Sequence, residues 1–195
     1  MIPRKSHLLF ILGAFAAGMT AALLVLMLMG RGNAPAPSAI GGPFQLIDQT
    51  GRAVTEQDLK GKPSLIFFGF THCPDICPTT LFEVSEILGA LGEEAARVNA
   101  LFVTVDPERD DAAQLKLYLS SFHPVLRGLT GSPENIAAML KAYRVYSRKV
   151  PLKDGGYTMD HTALVYLLDR EGRFVAPFNM KLSPEAAAAE LRKHF

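Results

Sequence analysis

Ser64-Leu65-Ile66-Phe67-Phe68-Gly69-Phe70-Thr71-His72-Cys73-Pro74-Asp75-Ile76-Cys77-Pro78 is the stretch whose reading decides the fold. It opens as an unbroken apolar run, the pattern of a strand covered on both faces, and closes in two cysteines flanked by prolines. Pro78 suits the first turn of a helix, where its missing N–H would be unpaired in any case. Leu81, Val84, Leu88 and Leu91 then repeat at helical spacing. A strand that ends in a thiol pair and turns into a helix is a mount for thiol chemistry or soft-metal binding. Cys73 and Cys77 are the only cysteines of the chain, and their spacing, Cys-x3-Cys, is one residue longer than the common redox pair.

Around this centre, strands and helices alternate. Residues 44–47 and 52–54 read as a small hairpin about Asp48-Gln49-Thr50-Gly51, and Lys60-Gly61-Lys62-Pro63 is a turn before the strand at 64–70. A strand is expected at 98–105, then a helix at 110–122 with Leu115, Tyr118, Leu119 and Phe122 on one face. Ser132-Pro133-Glu134 and Ser183-Pro184-Glu185 each combine a capping hydroxyl, a first-turn proline and an acid facing the dipole, so each starts a helix. Residues 150–159 read as an irregular loop, followed by strands at 162–168 and 173–178 about the turn Asp169-Arg170-Glu171-Gly172. The expected fold class is α/β, a central mixed sheet flanked by helices, with parallel central pairs and an antiparallel edge.

The 195 residues carry a net charge of +1 and are 49% hydrophobic, which suits one folded domain, and no clustered Lys/Arg face suggests nucleic acid. Residues 8–29 contain no charge, and Thr20 is their only polar side chain. That run is long enough to span a bilayer core, which takes about 20 apolar residues in a helix. Arg4 and Lys5 ahead of it favour a cytoplasmic start, though Arg31 weakens the bias. The expected organisation is a cytoplasmic N-terminus at 1–7, a transmembrane anchor at 8–29, a flexible Gly/Ala/Pro linker at 30–42, and the folded domain at 43–195. This places a single-pass protein in a bacterial inner membrane with its domain in the periplasm. A cleaved signal peptide is the alternative, but its apolar region is normally about 7 to 15 residues. In an oxidising compartment, a close thiol pair drifts toward a disulfide unless a metal or reductant holds it open.

Near a helix N-terminus both sulfurs are expected to be biased toward thiolate, the form that attacks disulfides and the form that binds metal. Two sulfurs alone suit only a two-coordinate ion; a third, imidazole ligand suits copper or zinc. Of five histidines, His7 lies ahead of the anchor and His194 in the last helix. His123 ends a helix, and His72, beside Cys73 in an extended segment, points away from it. His161 is placed differently. It stands just ahead of the strand expected to pair with the cysteine strand, so the topology brings it beside the thiols.

These segments resemble a known family. Phe68-Gly69-Phe70-Thr71-His72-Cys73-Pro74-Asp75-Ile76-Cys77-Pro78, Val103-Thr104-Val105-Asp106-Pro107-Glu108-Arg109-Asp110 and Asp160-His161-Thr162 are similar to the signature segments of the Sco/SenC copper proteins, in the same order. The resemblance implies a membrane-tethered, thioredoxin-like domain holding one copper ion, Cu(I) with Cu(II) also open, through Cys73, Cys77 and His161. It also implies a role in assembling the binuclear copper centre of cytochrome c oxidase subunit II, by delivering copper, by reducing that subunit's cysteines, or by both, with another copper chaperone as donor. In the same comparison His161 occupies the place of the thioredoxin cis-proline. Asp160 is a candidate to orient His161, although its adjacency makes the geometry awkward. Asp106 reads as a turn or cap residue, and Met159 as a packing methionine.

Two other chemistries could use the same residues. A thiol-disulfide oxidoreductase fits the fold and the thiol pair, but leaves His161 and the extra spacer residue unexplained. A peroxidase of peroxiredoxin type needs Thr or Ser three residues before the reactive cysteine and proline four before that; Phe70 and Ile66 stand there instead. The resemblance thus implies a metallochaperone rather than an enzyme, with thiol-disulfide reductase activity open at the same pair.

Overall fold

The computed structural model describes residues 14–25, 40–153 and 155–195. The chain divides into two units, residues 1–37 and 38–195. In the first, α1 (residues 14–25) is helical, and its one hydroxyl, Thr20 Oγ1, is satisfied inside the helix by the carbonyls of Ala16 (3.0 Å) and Ala17 (2.9 Å). Among the described residues no helix is long and apolar enough to cross a membrane. The expected segments at 1–7, most of 30–42, and both ends of 8–29 lie outside the described residues.

In the second unit the elements run β1 (Gln45–Asp48), β2 (Ala53–Thr55), β3 (Ser64–Gly69), α2 (Ile76–Leu91), β4 (Asn99–Thr104), α3 (Ala112–Leu119), β5 (Leu126–Thr130), α4 (Pro133–Ala142), β6 (Ser147–Pro151), β7 (Tyr157–His161), β8 (Val165–Leu168), β9 (Phe174–Pro177) and α5 (Pro184–Arg192). Seven strands form one sheet in the order β2-β1-β5-β4-β3-β8-β9; among the described residues β6 and β7 pair only with each other. The pairs β3–β4 and β4–β5 are parallel, whereas β3–β8 and β8–β9 are antiparallel, as the sequence led us to expect. Every residue of β3 is buried, so the unbroken apolar run is that of a central strand. Ser132 and Ser183 cap α4 and α5 through their side chains, each followed by proline in the first turn.

Three expectations need correction. The helix after the cysteines begins at Ile76, two residues before Pro78, with Asp75 at its N-cap. A strand, β5, lies between α3 and α4, where none was expected. Its Gly128 and Arg127 hide it from a hydrophobicity reading, yet the glycine is there because α3 packs on it: a Cβ would stand 2.8 Å from Leu119 Cδ1 and 3.1 Å from Leu115 Cβ. Finally, the stretch expected to be an irregular loop at 150–159 is strand at both ends: 150–151 close β6 and 157–159 open β7, a two-stranded ribbon in register from Ser147 opposite His161 to Pro151 opposite Tyr157. β8 accordingly starts at Val165 rather than Thr162, and His161 closes β7.

Candidate metal and thiol site

β3 delivers the thiols. Its last residue, Gly69, leads through Phe70, Thr71 and His72 to Cys73, and Cys77 is the second residue of α2. Both cysteines are free; Cys77 is fully buried, and Cys73 is partly exposed. The Cys77 N–H donates to Cys73 Sγ at 3.4 Å, so the partly exposed sulfur sits over the amides that open α2. Gly69 makes room for the buried sulfur: a Cβ there would lie 2.9 Å from Cys77 Sγ and 2.6 Å from Phe102 Cε2.

β8 runs antiparallel to β3 with Val165 opposite Phe67, so residues just ahead of β8 arrive at the cysteine end of β3. This is how His161, 84 positions from Cys77 in sequence, comes to lie with Nε2 at 3.7 Å from Cys77 Sγ. Its other nitrogen, Nδ1, is 3.1 Å from the Thr162 carbonyl oxygen. A carbonyl only accepts, so in the neutral ring the proton resides on Nδ1 and the bare Nε2 lone pair faces the sulfur. Phe70 (ring centroids 5.7 Å apart, planes at 89°) and Phe67 (6.4 Å, 64°) flank the imidazole edge-on and hold its plane. Thr162 ties the approach down: its N–H donates to Tyr146 O (3.1 Å), and its hydroxyl accepts the Tyr146 N–H (3.0 Å).

Electrostatics at Cys77 differ from the expectation drawn from the helix dipole. Burial pushes the Cys77 thiol well above its ordinary value; a backbone contact with Phe70 opposes the rise, and Cys73 and Asp110 add to it. Desolvation outweighs the dipole here because the sulfur has no access to water. In the metal-free state Cys77 is therefore held as a thiol whose proton faces His161 Nε2. Among the described residues no group of three or more His, Cys, Asp or Glu side chains is gathered to hold a metal ion as it stands. Cys77 and His161 form the pre-arranged pair, while Cys73 Sγ is engaged by a backbone amide.

The other sequence candidates fall elsewhere. His72 is about half exposed, and its Nδ1 lies 3.1 Å from Thr71 Oγ1 and 3.7 Å from Asp110 Oδ1. His123 Nδ1 accepts the Val125 N–H in the turn before β5. Asp160 is exposed and lies 3.7 Å from Arg148, so it does not orient His161; the Thr162 carbonyl does. Met159 is buried in the core. Asp106 is a turn residue, its carbonyl accepting the Arg109 and Asp110 N–H groups, but its carboxylate is also buried against Arg109.

Sequence reasoning missed Asp110. Fully buried, it accepts the Thr71 N–H (3.0 Å), the Thr71 hydroxyl (2.6 Å) and the Thr104 hydroxyl (2.7 Å), and so fixes the loop that leads into Cys73. An acid closing the segment Val103–Asp110 was visible, but nothing in its spacing said that it reached across to Thr71.

Comparison with known proteins agrees with this geometry. Protein SCO1 homolog 1, mitochondrial, of Arabidopsis thaliana is 45% identical over 146 residues, which are 74% of this chain; the chain spans 44% of that relative's length. Protein SCO2 homolog, mitochondrial, of Homo sapiens is 39% identical over 197 residues, covering 95% of this chain and 74% of that protein. The structure of Bradyrhizobium japonicum ScoI with copper bound superposes with a TM-score of 0.79 at 65% identity, covering 80% of this chain and 99% of that one. The mixed α/β domain is thus a thioredoxin-like fold of the Sco type. The SCO1/SenC family model matches residues 32–195, and the chain belongs to that family.

Proposed function

We propose that this chain binds one copper ion as cargo through Cys73, Cys77 and His161, and delivers it to the binuclear copper centre of cytochrome c oxidase subunit II while residues 8–29 tether it to the membrane. The observation that carries this reading is the bare Nε2 of His161 aimed at Cys77 Sγ from 3.7 Å, with Nδ1 already committed to a carbonyl. An imidazole so placed beside two thiols is a soft donor set that suits Cu(I). The copper-bound relative, 65% identical, supports the same choice of metal. Loading displaces the Cys77 proton that burial retains, so uptake releases protons and strengthens as pH rises. Cys73 completes the set by turning its sulfur away from the Cys77 N–H.

The test is an anaerobic Cu(I) titration of the reduced chain against a chromophoric competitor, with His161→Ala, Cys73→Ser and Cys77→Ser in parallel. One tightly held equivalent, weakened by each change, supports the reading. Copper passing to a reduced subunit II fragment, without prior oxidation of the thiols, supports delivery. Resistance of membrane-bound chain to carbonate extraction supports the tether, and release into the soluble fraction refutes it.

One observation favours a second reading. Cys73 is partly exposed, and its sulfur sits at the amides opening α2, the environment of an attacking thiol. As a reductase of subunit II cysteines, Cys73 would attack and Cys77 resolve, the pair ending as a disulfide. If His161→Ala leaves oxidase assembly intact while either Cys→Ser change abolishes it, this reading replaces copper delivery.

A further inference from the structure

The segment at residues 105–111 holds none of the three candidate ligands, yet it reaches the end of β3, the turn that leads into Cys73 and the ribbon that ends in His161. Its Val105 N–H donates to Gly69 O (2.7 Å) at the end of β3. Asp110 grips Thr71 at both the N–H and the hydroxyl, and its own carbonyl accepts the Thr130 hydroxyl (2.7 Å). Arg109 turns the other way, toward the ribbon that ends in His161. Its Nε donates to Asp106, its Nη1 donates to Tyr157 O (3.0 Å), and its guanidinium lies 3.8 Å from the centre of the Tyr157 ring. The Tyr157 hydroxyl closes the triangle by donating to Asp106 Oδ1 at 2.9 Å. Outside it, Lys149 of β6 pairs with Glu108 (2.5 Å).

We propose that residues 105–111 are a brace that sets the spacing between the cysteine turn and His161, with Asp110 holding the turn and the Asp106–Arg109 pair holding the β6–β7 ribbon through Tyr157. Two features of the packing point to this role rather than to plain stability. Among the described residues the ribbon pairs with no other strand, so its position depends on side-chain contacts rather than on a sheet ladder. Among the described residues Arg109 Nη2 is also buried without a hydrogen-bond partner. An ion pair whose carboxylate is fully buried, and whose partly buried guanidinium keeps one nitrogen unsatisfied, is a poor way to add stability, and an apolar pair of the same size would do as well or better. What the pair provides is direction: a planar fork that touches Asp106 and the Tyr157 carbonyl at once. Arg109, Asp106, Tyr157 and Asp110 are thus positioning residues, acting on copper only through His161 and the thiols.

This inference rests on the three-ligand reading for its second readout but not for its first. The first is hydrogen exchange of the metal-free full chain in wild type, Arg109→Gln and Tyr157→Phe, the latter removing only the hydroxyl and keeping the ring. Amides of residues 147–161 exchange about tenfold faster or more in Arg109→Gln, as for loss of a hydrogen bond to a charged group, while those of β3 and β4 do not change. The second is Cu(I) affinity in a double-mutant cycle with His161→Ala. Each brace variant weakens binding when His161 is present and has no further effect once it is gone. Unchanged exchange in the ribbon, or an equal loss of affinity with and without His161, overturns the brace. If His161→Ala alone leaves copper affinity unchanged, the three-ligand site fails, and the exchange result still decides the brace.

Discussion

Gly69→Ala puts one methyl group at the most crowded point of the site. Gly69 is not in the left-handed region, so the change adds no backbone strain, and its effect is steric. The new Cβ would stand 2.6 Å from Phe102 Cε2, 3.3 Å from Phe102 Cζ and 2.9 Å from Cys77 Sγ. Carbon atoms rest at about 3.5–4.0 Å, so either the ring or the sulfur must retreat by about 1 Å. Phe102 has little room to move, with Phe67 (6.1 Å between ring centres) on one side and Tyr118 (5.8 Å) on the other. Overpacking of this kind costs about 1–3 kcal/mol. For a chain of this size it corresponds to a fall in Tm of about 2–12 °C, at roughly 2–4 °C per kcal/mol. The assay is a thermal melt of the reduced, metal-free full chain followed by circular dichroism. Gly89→Ala serves as control, because a Cβ there meets nothing within 4 Å inside α2. Replacing a helical glycine by alanine should stabilise by about 0.5–1 kcal/mol. If the sulfur is what moves, the Cys77–His161 approach of 3.7 Å opens and Cu(I) affinity falls with Tm. A Gly69→Ala protein melting within about 1 °C of wild type would refute the packing argument, since even its low end predicts more.

Four further expectations concern single groups. Iodoacetamide under native conditions modifies Cys73 well before Cys77, because only Cys73 reaches solvent and burial holds Cys77 as the thiol; mass mapping that finds equal labelling would contradict the site's burial. Tyr118→Phe is neutral or stabilising, because its buried hydroxyl has no hydrogen-bond partner among the described residues; a fall in Tm would show that the hydroxyl is satisfied after all. Burial raises the phenols of Tyr118 and Tyr143 above their ordinary 10.0, so above that pH the unfolded chain loses protons the folded one keeps. Their contribution is therefore present below about pH 10 and lost as pH rises, and Tyr143→Phe should flatten the alkaline decline in denaturant midpoint. Asp110→Asn replaces an acceptor of three hydrogen bonds by a group that also donates, and should cost about 1.5–3 kcal/mol in urea unfolding; an unchanged midpoint would remove Asp110 from the account.

Much of the site was legible because its parts are short-range. The β3 run, the cysteine turn and the capped starts of α4 and α5 each depend on neighbours within a few residues. His161 was reached by a topological step, from the expectation that the strand after it pairs with β3, and that pairing is present. The reading lost its way where a residue answers to something distant. Gly128 weakens β5 as a local strand signal, yet it is what lets α3 sit on the sheet. The β6–β7 ribbon is mostly polar, and only Met159 of it is buried, so no alternation marks it, and Tyr157 is held from residues 48 to 51 positions earlier. The Cys77 thiol was misjudged for the same reason. A helix N-terminus is visible in sequence, while the complete burial that overrides it is a property of the packed domain.

The central claim is that two sulfurs and one imidazole from Cys73, Cys77 and His161 hold a single copper ion. X-ray absorption of the stoichiometric Cu(I) complex of the full chain tests it most directly. The account predicts a first shell of two sulfurs and one nitrogen, with the nitrogen scatterer lost in His161→Ala and one sulfur lost in either Cys→Ser variant. A shell of two sulfurs alone, identical in wild type and His161→Ala, would contradict it.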